Sequence, residues 1–279
     1  MTGPLILGGT GLVGRSLARV WPSDAPPALW QHRPGAAPVG PGETLCWDIL
    51  GGAAPPLPRP VSGLIVLAGV MGTEPERLRR NTDLALAGLA LARREGISRV
   101  LVASSQAVYG RPGAPVAETD PAVPTTPYGA AKRDMEQALA GAPGVTCLRL
   151  GNVAGTDSLF KAAAGGGALT LDRIAATGAG PRRSYIGPVT LACVLRGLLA
   201  HPGPLPPLLN LAAPGTVTMD AILDAAGVPF ETRPAPETAL AEMELDVSRL
   251  AALVPLERAE AGQLVAEARQ AGWPALAAG

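Results

Sequence analysis

Tyr128 and Lys132 stand four residues apart in PYGAAK (127–132), a spacing that puts both side chains on one face of a helix. Thr126 can cap that helix and Pro127 suits its first position, so Tyr128 would lie in the first turn. A phenol has an ordinary pKa of about 10. A neighbouring ammonium and the positive end of a helix both favour its ionised form, which would let Tyr128 exchange a proton near neutrality. The spacing alone arises by chance in many helices, so the surrounding elements must decide.

A second chemical feature lies at the N-terminus, where LGGTGLVG spaces Gly8, Gly11 and Gly14 as GxxGxxG between an apolar run and an amphipathic stretch. In a strand–turn–helix setting this turn brings backbone N–H groups up to a pyrophosphate at the helix N-terminus. Gly8, Thr10, Gly11, Leu12, Val13 and Gly14 are its candidate cofactor contacts. The following strand ends WQHRPG, with Arg33 and no acid where the adenosine ribose would be read, which favours NADP over NAD. Asp24 falls in the connector WPSDAPP ahead of that strand.

The elements that must position these groups follow from short apolar runs at 5–7, 28–30, 44–47, 64–68, 99–104 and 145–150. Their continuity suits strands buried on both faces. Helical stretches separate them, and RLRRNTDLALAGLALARREG closes on Gly96 as a C-terminal cap. The alternation predicts an α/β chain: a doubly wound parallel Rossmann sheet over 1–155, with later segments returning to it. Residues 156–279 are expected to form mainly a small C-terminal substrate lobe, with helices near 188–200, 218–226 and 257–272. No internal repeat is seen.

Lys plus Arg and Asp plus Glu each number 23, so there is no basic footprint for nucleic acid or an anionic membrane. Small molecules or further copies of the chain are the expected partners. Cys46, Cys147 and Cys193 lack zinc-site spacing and read as reduced core residues. With no signal-like N-terminus, they suggest a cytoplasmic protein; no metal is expected. His32 and His201 read as solvated loop residues, the four tryptophans as packing, and the abundant glycine and proline as coding bias.

The stretch RVLVASSQAVYG (99–110), followed by VAETDPAVPTTPYGAAK (116–132), resembles the extended short-chain dehydrogenase/reductase family, the NAD(P)-dependent epimerase/dehydratase group. A Ser-Ser pair ends a strand, then come VYG, a glutamate (Glu118), prolines (Pro121, Pro124) and the YxxxK pair. LCWDI, LAG (67–69), Asn81, RLGNVAG, RRSYIG and LNLAAPGTVTM extend the similarity along nearly the whole chain.

The resemblance implies Ser105, four residues before the tyrosine of VYG, as the hydroxyl beside Tyr128 on a substrate oxygen, with Lys132 lowering the tyrosine's pKa and holding the nicotinamide ribose. It implies Asp48 and Ile49 at the adenine, Leu67, Ala68 and Gly69 along the cofactor, and a homodimer built from helices that include the one bearing Tyr128. Hydride transfer at a hydroxyl or ketone carbon of a sugar nucleotide or similar polar substrate is the implied activity. An NADPH-dependent reductase and a non-catalytic dinucleotide sensor are the alternatives. Gly187-Pro188-Val189-Thr190 replaces the family's His-Val-Asp-Asp, and the segment between NVAG and RRSYIG is short, which suggests a smaller substrate or a more open pocket.

Overall fold

Six of the apolar runs become strands in the computed structural model, which describes residues 2–113, 115–167 and 169–274. They are β1 (Leu5–Leu7), β2 (Leu29–His32), β3 (Thr44–Cys46), β4 (Leu64–Val66), β5 (Val100–Ser105) and β6 (Val145–Leu150). With β11 (Leu208–Leu211) they make a seven-stranded parallel sheet in the order β11-β6-β5-β4-β1-β2-β3. The chain is a Rossmann-like α/β protein.

Alternate strand residues face opposite sides, and both sides are covered, which is why the runs read as continuously apolar. Ile6, Ile65, Leu101 and Leu148 pack with Leu17 of α1 (Leu12–Val20) and Leu195 of α5 (Pro188–Ala200). Leu7, Val66, Val102 and Cys147 pack with Leu89 of α2 (Pro75–Arg94) and Met135 of α3 (Pro127–Leu139). The caps fall where the sequence puts them: Thr126 Oγ1 accepts the Gly129 N–H at 3.1 Å, and Gly96, at φ +66°, follows α2.

Beyond β6 the chain builds smaller pieces. β7 (Asn152–Val153) pairs in parallel with β10 (Tyr185–Ile186), and β8 (Leu169–Arg173) with β13 (Phe230–Pro234). β9 (Arg182–Arg183) lies between β12 (Val217–Thr218) and β14 (Glu242–Met243). α4 (Ser158–Ala164), α6 (Met219–Ala226) and α8 (Ala261–Gln270) enclose a separate core around Phe160, Tyr185 and Trp273. α7 (Ser248–Ala251) is a single turn against β11.

Two expectations need correcting. His32 is not solvated: as the last residue of β2, paired with Cys46 of β3, it is 8% exposed. Of the cysteines only Cys147 is in the core; Cys46 and Cys193 are exposed, at a sheet edge and on the outer face of α5. All four tryptophans are buried. Among the described residues no helix is long and apolar enough to cross a membrane, and no group of His, Cys, Asp and Glu is arranged to hold a metal ion.

Candidate active site

The carboxyl ends of adjacent strands bring most of the candidate residues to one edge of the sheet. Ser105 ends β5, Leu67–Gly69 follow β4, the glycine turn follows β1, Arg33 follows β2 and Asp48 lies just past β3. This is the edge at which open α/β sheets take their ligands.

In the glycine turn, Gly8 has φ +89°, and a Cβ there would stand 2.5 Å from Ala68 N. A Cβ on Gly14 would stand 2.3 Å from Gly8 O, so side chains at both positions are excluded by backbone. Gly11 caps α1 with no side-chain bond and no acid in the first turn, which leaves amide N–H groups facing outward. Gln31, buried in β2, fixes the turn from below: its Oε1 accepts the Gly8 N–H at 2.8 Å and its Nε2 donates to Trp47 O at 2.6 Å. The sequence reading passed over Gln31; a lone glutamine within a buried strand was the available signal.

Asn81 clamps the loop after β4. Its Oδ1 accepts the Val70 N–H at 3.1 Å and its Nδ2 donates to Val70 O at 3.0 Å. A Cβ on Gly69 would meet Asn81 Oδ1 at 2.9 Å and Lys132 Nζ at 3.4 Å, so the proposed cofactor loop lies directly against the lysine.

Ser105, Tyr128 and Lys132 come together at the end of β5. Ser105 Oγ accepts the Ala107 N–H at 3.2 Å, which starts the short 3₁₀ turn of Gln106–Tyr109. Lys132 is 4% exposed; its Nζ donates to Ala103 O at 2.9 Å and lies 6.0 Å from the centroid of the Tyr128 ring. Burial lowers Lys132 to about 8, against the opposing pull of Cys147 and Glu136.

Burial raises the Tyr128 pKa above its ordinary value, and the Ser105 hydroxyl, within hydrogen-bonding reach, acts the other way. Among the described residues Lys132 is not one of the groups that shift the phenol. Desolvation dominates the phenol, and one of the three ammonium N–H groups of Lys132 is directed at a strand carbonyl.

Next to Ser105, Gln106 Nε2 donates to Asn152 Oδ1 at 2.8 Å, and Asn152 Nδ2 donates to Asp157 Oδ2 at 3.0 Å. The Tyr185 hydroxyl donates to the same Asp157 oxygen at 2.6 Å. These bonds link the end of β5 to the smaller pieces of the fold. The residues they join lie in separate segments, and only the RLGNVAG and RRSYIG motifs hinted at them.

Arg33 and Asp48 are both exposed, and among the described residues neither side chain makes a hydrogen bond or ion pair. Ile49 is buried. At the divergent Gly187–Thr190, Glu267 of α8 supplies a carboxylate to the start of α5: Thr190 N–H donates to Oε2 at 2.9 Å and Thr190 Oγ1 to Oε1 at 2.7 Å. The helix start that lacks its own acids borrows one from seventy-seven residues away.

Residues 68–170 match the model of the NAD dependent epimerase/dehydratase family. Over 85 residues the chain is 42% identical to a UDP-glucose 4-epimerase of Azospirillum brasilense, covering 28% of this chain and 24% of that protein. The chain thus matches about a quarter of the length of that curated relative.

Solved structures match across nearly the whole chain. An NAD dependent NDP-hexosamine 5,6-dehydratase of tunicamycin biosynthesis, TunA, aligns with a TM-score of 0.75 at 21% identity, over 97% of this chain and 98% of that one. MoeE5 in complex with UDP-glucuronic acid and NAD gives 0.75 at 19%, over 96% and 98%. UDP-glucose 4-epimerase from Bifidobacterium longum, in complex with NAD+ and UDP, gives 0.77 at 18%, over 96% and 97%. These likenesses establish the fold, and with the family match they bear out the resemblance to the extended epimerases and dehydratases.

Proposed function

We propose that the chain is an NAD-dependent enzyme of the epimerase/dehydratase type, moving hydride and proton at a carbinol carbon of a sugar nucleotide. The observation that carries this reading is the convergence of Ser105, Tyr128 and Lys132 at the end of β5, against the Gly69 loop and beside a glycine turn from which backbone excludes side chains.

The fit to a dinucleotide rests on the uncapped start of α1 and the cradle at Gly8 and Gly14. Gly8, Thr10, Gly11, Leu12, Val13 and Gly14 would hold the pyrophosphate, Asp48 and Ile49 the adenine side, and Leu67, Ala68 and Gly69 the path toward the nicotinamide. Bound NAD would accept and return the hydride. Tyr128 would exchange the proton of the reacting oxygen, and Ser105 would fix that oxygen by a hydrogen bond. Lys132 would stabilise the phenolate as it forms and hold the ribose.

The cofactor is proposed as NAD, against the NADP favoured by Arg33. The similar structures that name a cofactor name NAD, and Arg33 stands exposed, without the fixed fork of bonds that phosphate recognition uses.

A sugar nucleotide is supported by two features. The alignment with MoeE5, solved with UDP-glucuronic acid and NAD, and the Bifidobacterium epimerase, solved with NAD+ and UDP, takes in 98% and 97% of those chains, which supports a sugar nucleotide over a smaller substrate. Among the described residues Arg183 makes no ion pair, its guanidinium bonding to the carbonyl oxygens of Arg182 at 2.7 Å and Leu240 at 2.9 Å, and its charge would be the partner for a diphosphate. Residues 1–155 with α5 and β11 would bind the cofactor, and the remaining elements the substrate. A homodimer through the outer faces of α2 and α3 completes the reading.

The experiment is to incubate the purified chain with NAD and UDP-glucose or UDP-galactose and follow their interconversion and the near-ultraviolet absorbance of reduced nicotinamide. Interconversion, or reduction on adding the sugar nucleotide, supports the reading. Neither response across a panel of sugar nucleotides contradicts it.

A further inference from the structure

Helix α3 is tied to β5 twice, on successive turns. Lys132 Nζ donates to Ala103 O at 2.9 Å, and Glu136 Oε1 accepts the Ser104 hydroxyl at 2.5 Å. Glu136 also takes Arg149 of β6: Nη2 to Oε2 at 2.7 Å, and Nε to Oε1 and Oε2 at 3.1 and 3.2 Å. The two side chains are 5% and 6% exposed. The guanidinium lies 4.7 Å from the centroid of the Tyr109 ring, and the Tyr109 hydroxyl donates to Asn210 Oδ1 of β11 at 2.7 Å. Burial would lower the pKa of Arg149, and its pairing with Glu136 more than reverses that. The carboxylate is thus aimed from two sides, by Ser104 and by Arg149.

Among the described residues, few groups face Lys132. From α3 come Tyr128, Glu136 and the Met135 sulfur at 3.9 Å; from β6, Cys147; from β5, the Ala103 carbonyl; from beyond β4, Gly69 with the Asn81 amide. Burial, with Glu136 beside it, pushes the Cys147 thiol up to about 12. It is therefore neutral while Lys132 titrates near 8, and Glu136 is the anion left to oppose the cost of burying the ammonium. Arg149, spent on Glu136, is not among the groups that shift Lys132.

We propose that Glu136 is a positioning residue: its carboxylate, oriented by Arg149 and Ser104, keeps Lys132 charged and fixes α3 against β5, so that Tyr128 and Ser105 address one substrate oxygen. The catalytic half of this statement rests on the function proposed above; the electrostatic half does not.

The test exploits an accident of composition, since Lys132 and Lys161 are the only lysines of the chain. In full-length protein carrying isotope-labelled lysine, two side-chain resonances are followed against pH, with exposed Lys161 as reference. The parent is compared with Glu136→Gln and with Glu136→Gln/Arg149→Gln, whose neutral pair leaves no charge stranded. In both, Lys132 is expected to bind its proton about tenfold more weakly, with Lys161 unmoved.

A folded double variant in which Lys132 titrates where it does in the parent overturns the proposal. A double variant that cannot fold also overturns it, by assigning the pair to stability alone. A shifted lysine in a protein that turns over no sugar nucleotide leaves the proposal standing and rejects the function proposed above.

Discussion

Lys132 Nζ donates to the Ala103 carbonyl oxygen at 2.9 Å, so the second member of the Tyr-Lys pair is anchored to the strand that ends in Ser105 rather than to its tyrosine. A basic residue is rarely buried unless paired. The chain carries 23 basic residues, of which two are lysines, so a lysine at this buried position stands out. Arginine cannot shed its proton, whereas lysine shifts its pKa readily when buried. A titratable amine at 132 is what a proton-exchanging site would need.

Lys132→Met is expected to give a more stable protein at neutral pH. Below pH 8 both the folded and the unfolded chain carry the ammonium, and folding bears the full cost of burying it. Between about 8 and the ordinary 10.5 the folded chain has lost the proton that the unfolded chain keeps, so the parent's stability rises with pH. The gain from methionine, roughly 1–3 kcal/mol at pH 7, should shrink across that window and vanish above it. Denaturant unfolding at pH 7, 9 and 10.5 measures it, and a gain independent of pH would refute the assignment of the cost to the charge.

Asn81→Ala removes both bonds that hold Val70. The loop from Leu67 to Val70 loses its clamp, and since its backbone groups are only partly buried the cost is about 1 kcal/mol. NAD affinity, read by calorimetry, should fall by about tenfold. Unchanged affinity would detach this loop from the cofactor.

Arg149→Met leaves the Glu136 carboxylate buried without its partner. Breaking a buried pair from one side costs about 3–5 kcal/mol. Chemical denaturation should show a loss of that order, and a loss under 1 kcal/mol, within the range of a surface pair, would show that the pair is not desolvated in solution.

NAD is expected to raise the unfolding temperature more than NADP at equal concentration, since a ligand stabilises by its affinity for the native state, about 2.7 kcal/mol at a hundred times its Kd. The larger shift with NADP would restore Arg33 as a phosphate reader.

Much of the central sheet was legible because most of its strands are short runs of apolar residues buried on both faces, and because Thr126, Pro127 and Gly96 obey local rules for helix ends. Ser105, Tyr128 and Lys132 were legible as a pattern, since three local motifs fall in order along 99–132. What escaped was long-range. His32 is the last residue of a strand and buried, though the neighbouring Arg33 and Pro34 made it read as loop. The parallel ribbon of β8 with β13 joins Leu169 to Phe230, and the carboxylate that serves Thr190 comes from Glu267. No spacing in a single sequence discloses such partners. The burial of Lys132 was hidden for a related reason: proximity along a helix says nothing of how deeply a group is buried.

The most direct measurement is Tyr128→Phe, compared with the parent for NAD binding and for interconversion of UDP-glucose and UDP-galactose. Phenylalanine keeps the ring and removes the one hydroxyl assigned to proton exchange, so turnover should drop by about a thousandfold or more while NAD affinity stays within about threefold. Turnover equal to the parent's, in a variant that binds NAD normally, would contradict the account at its centre.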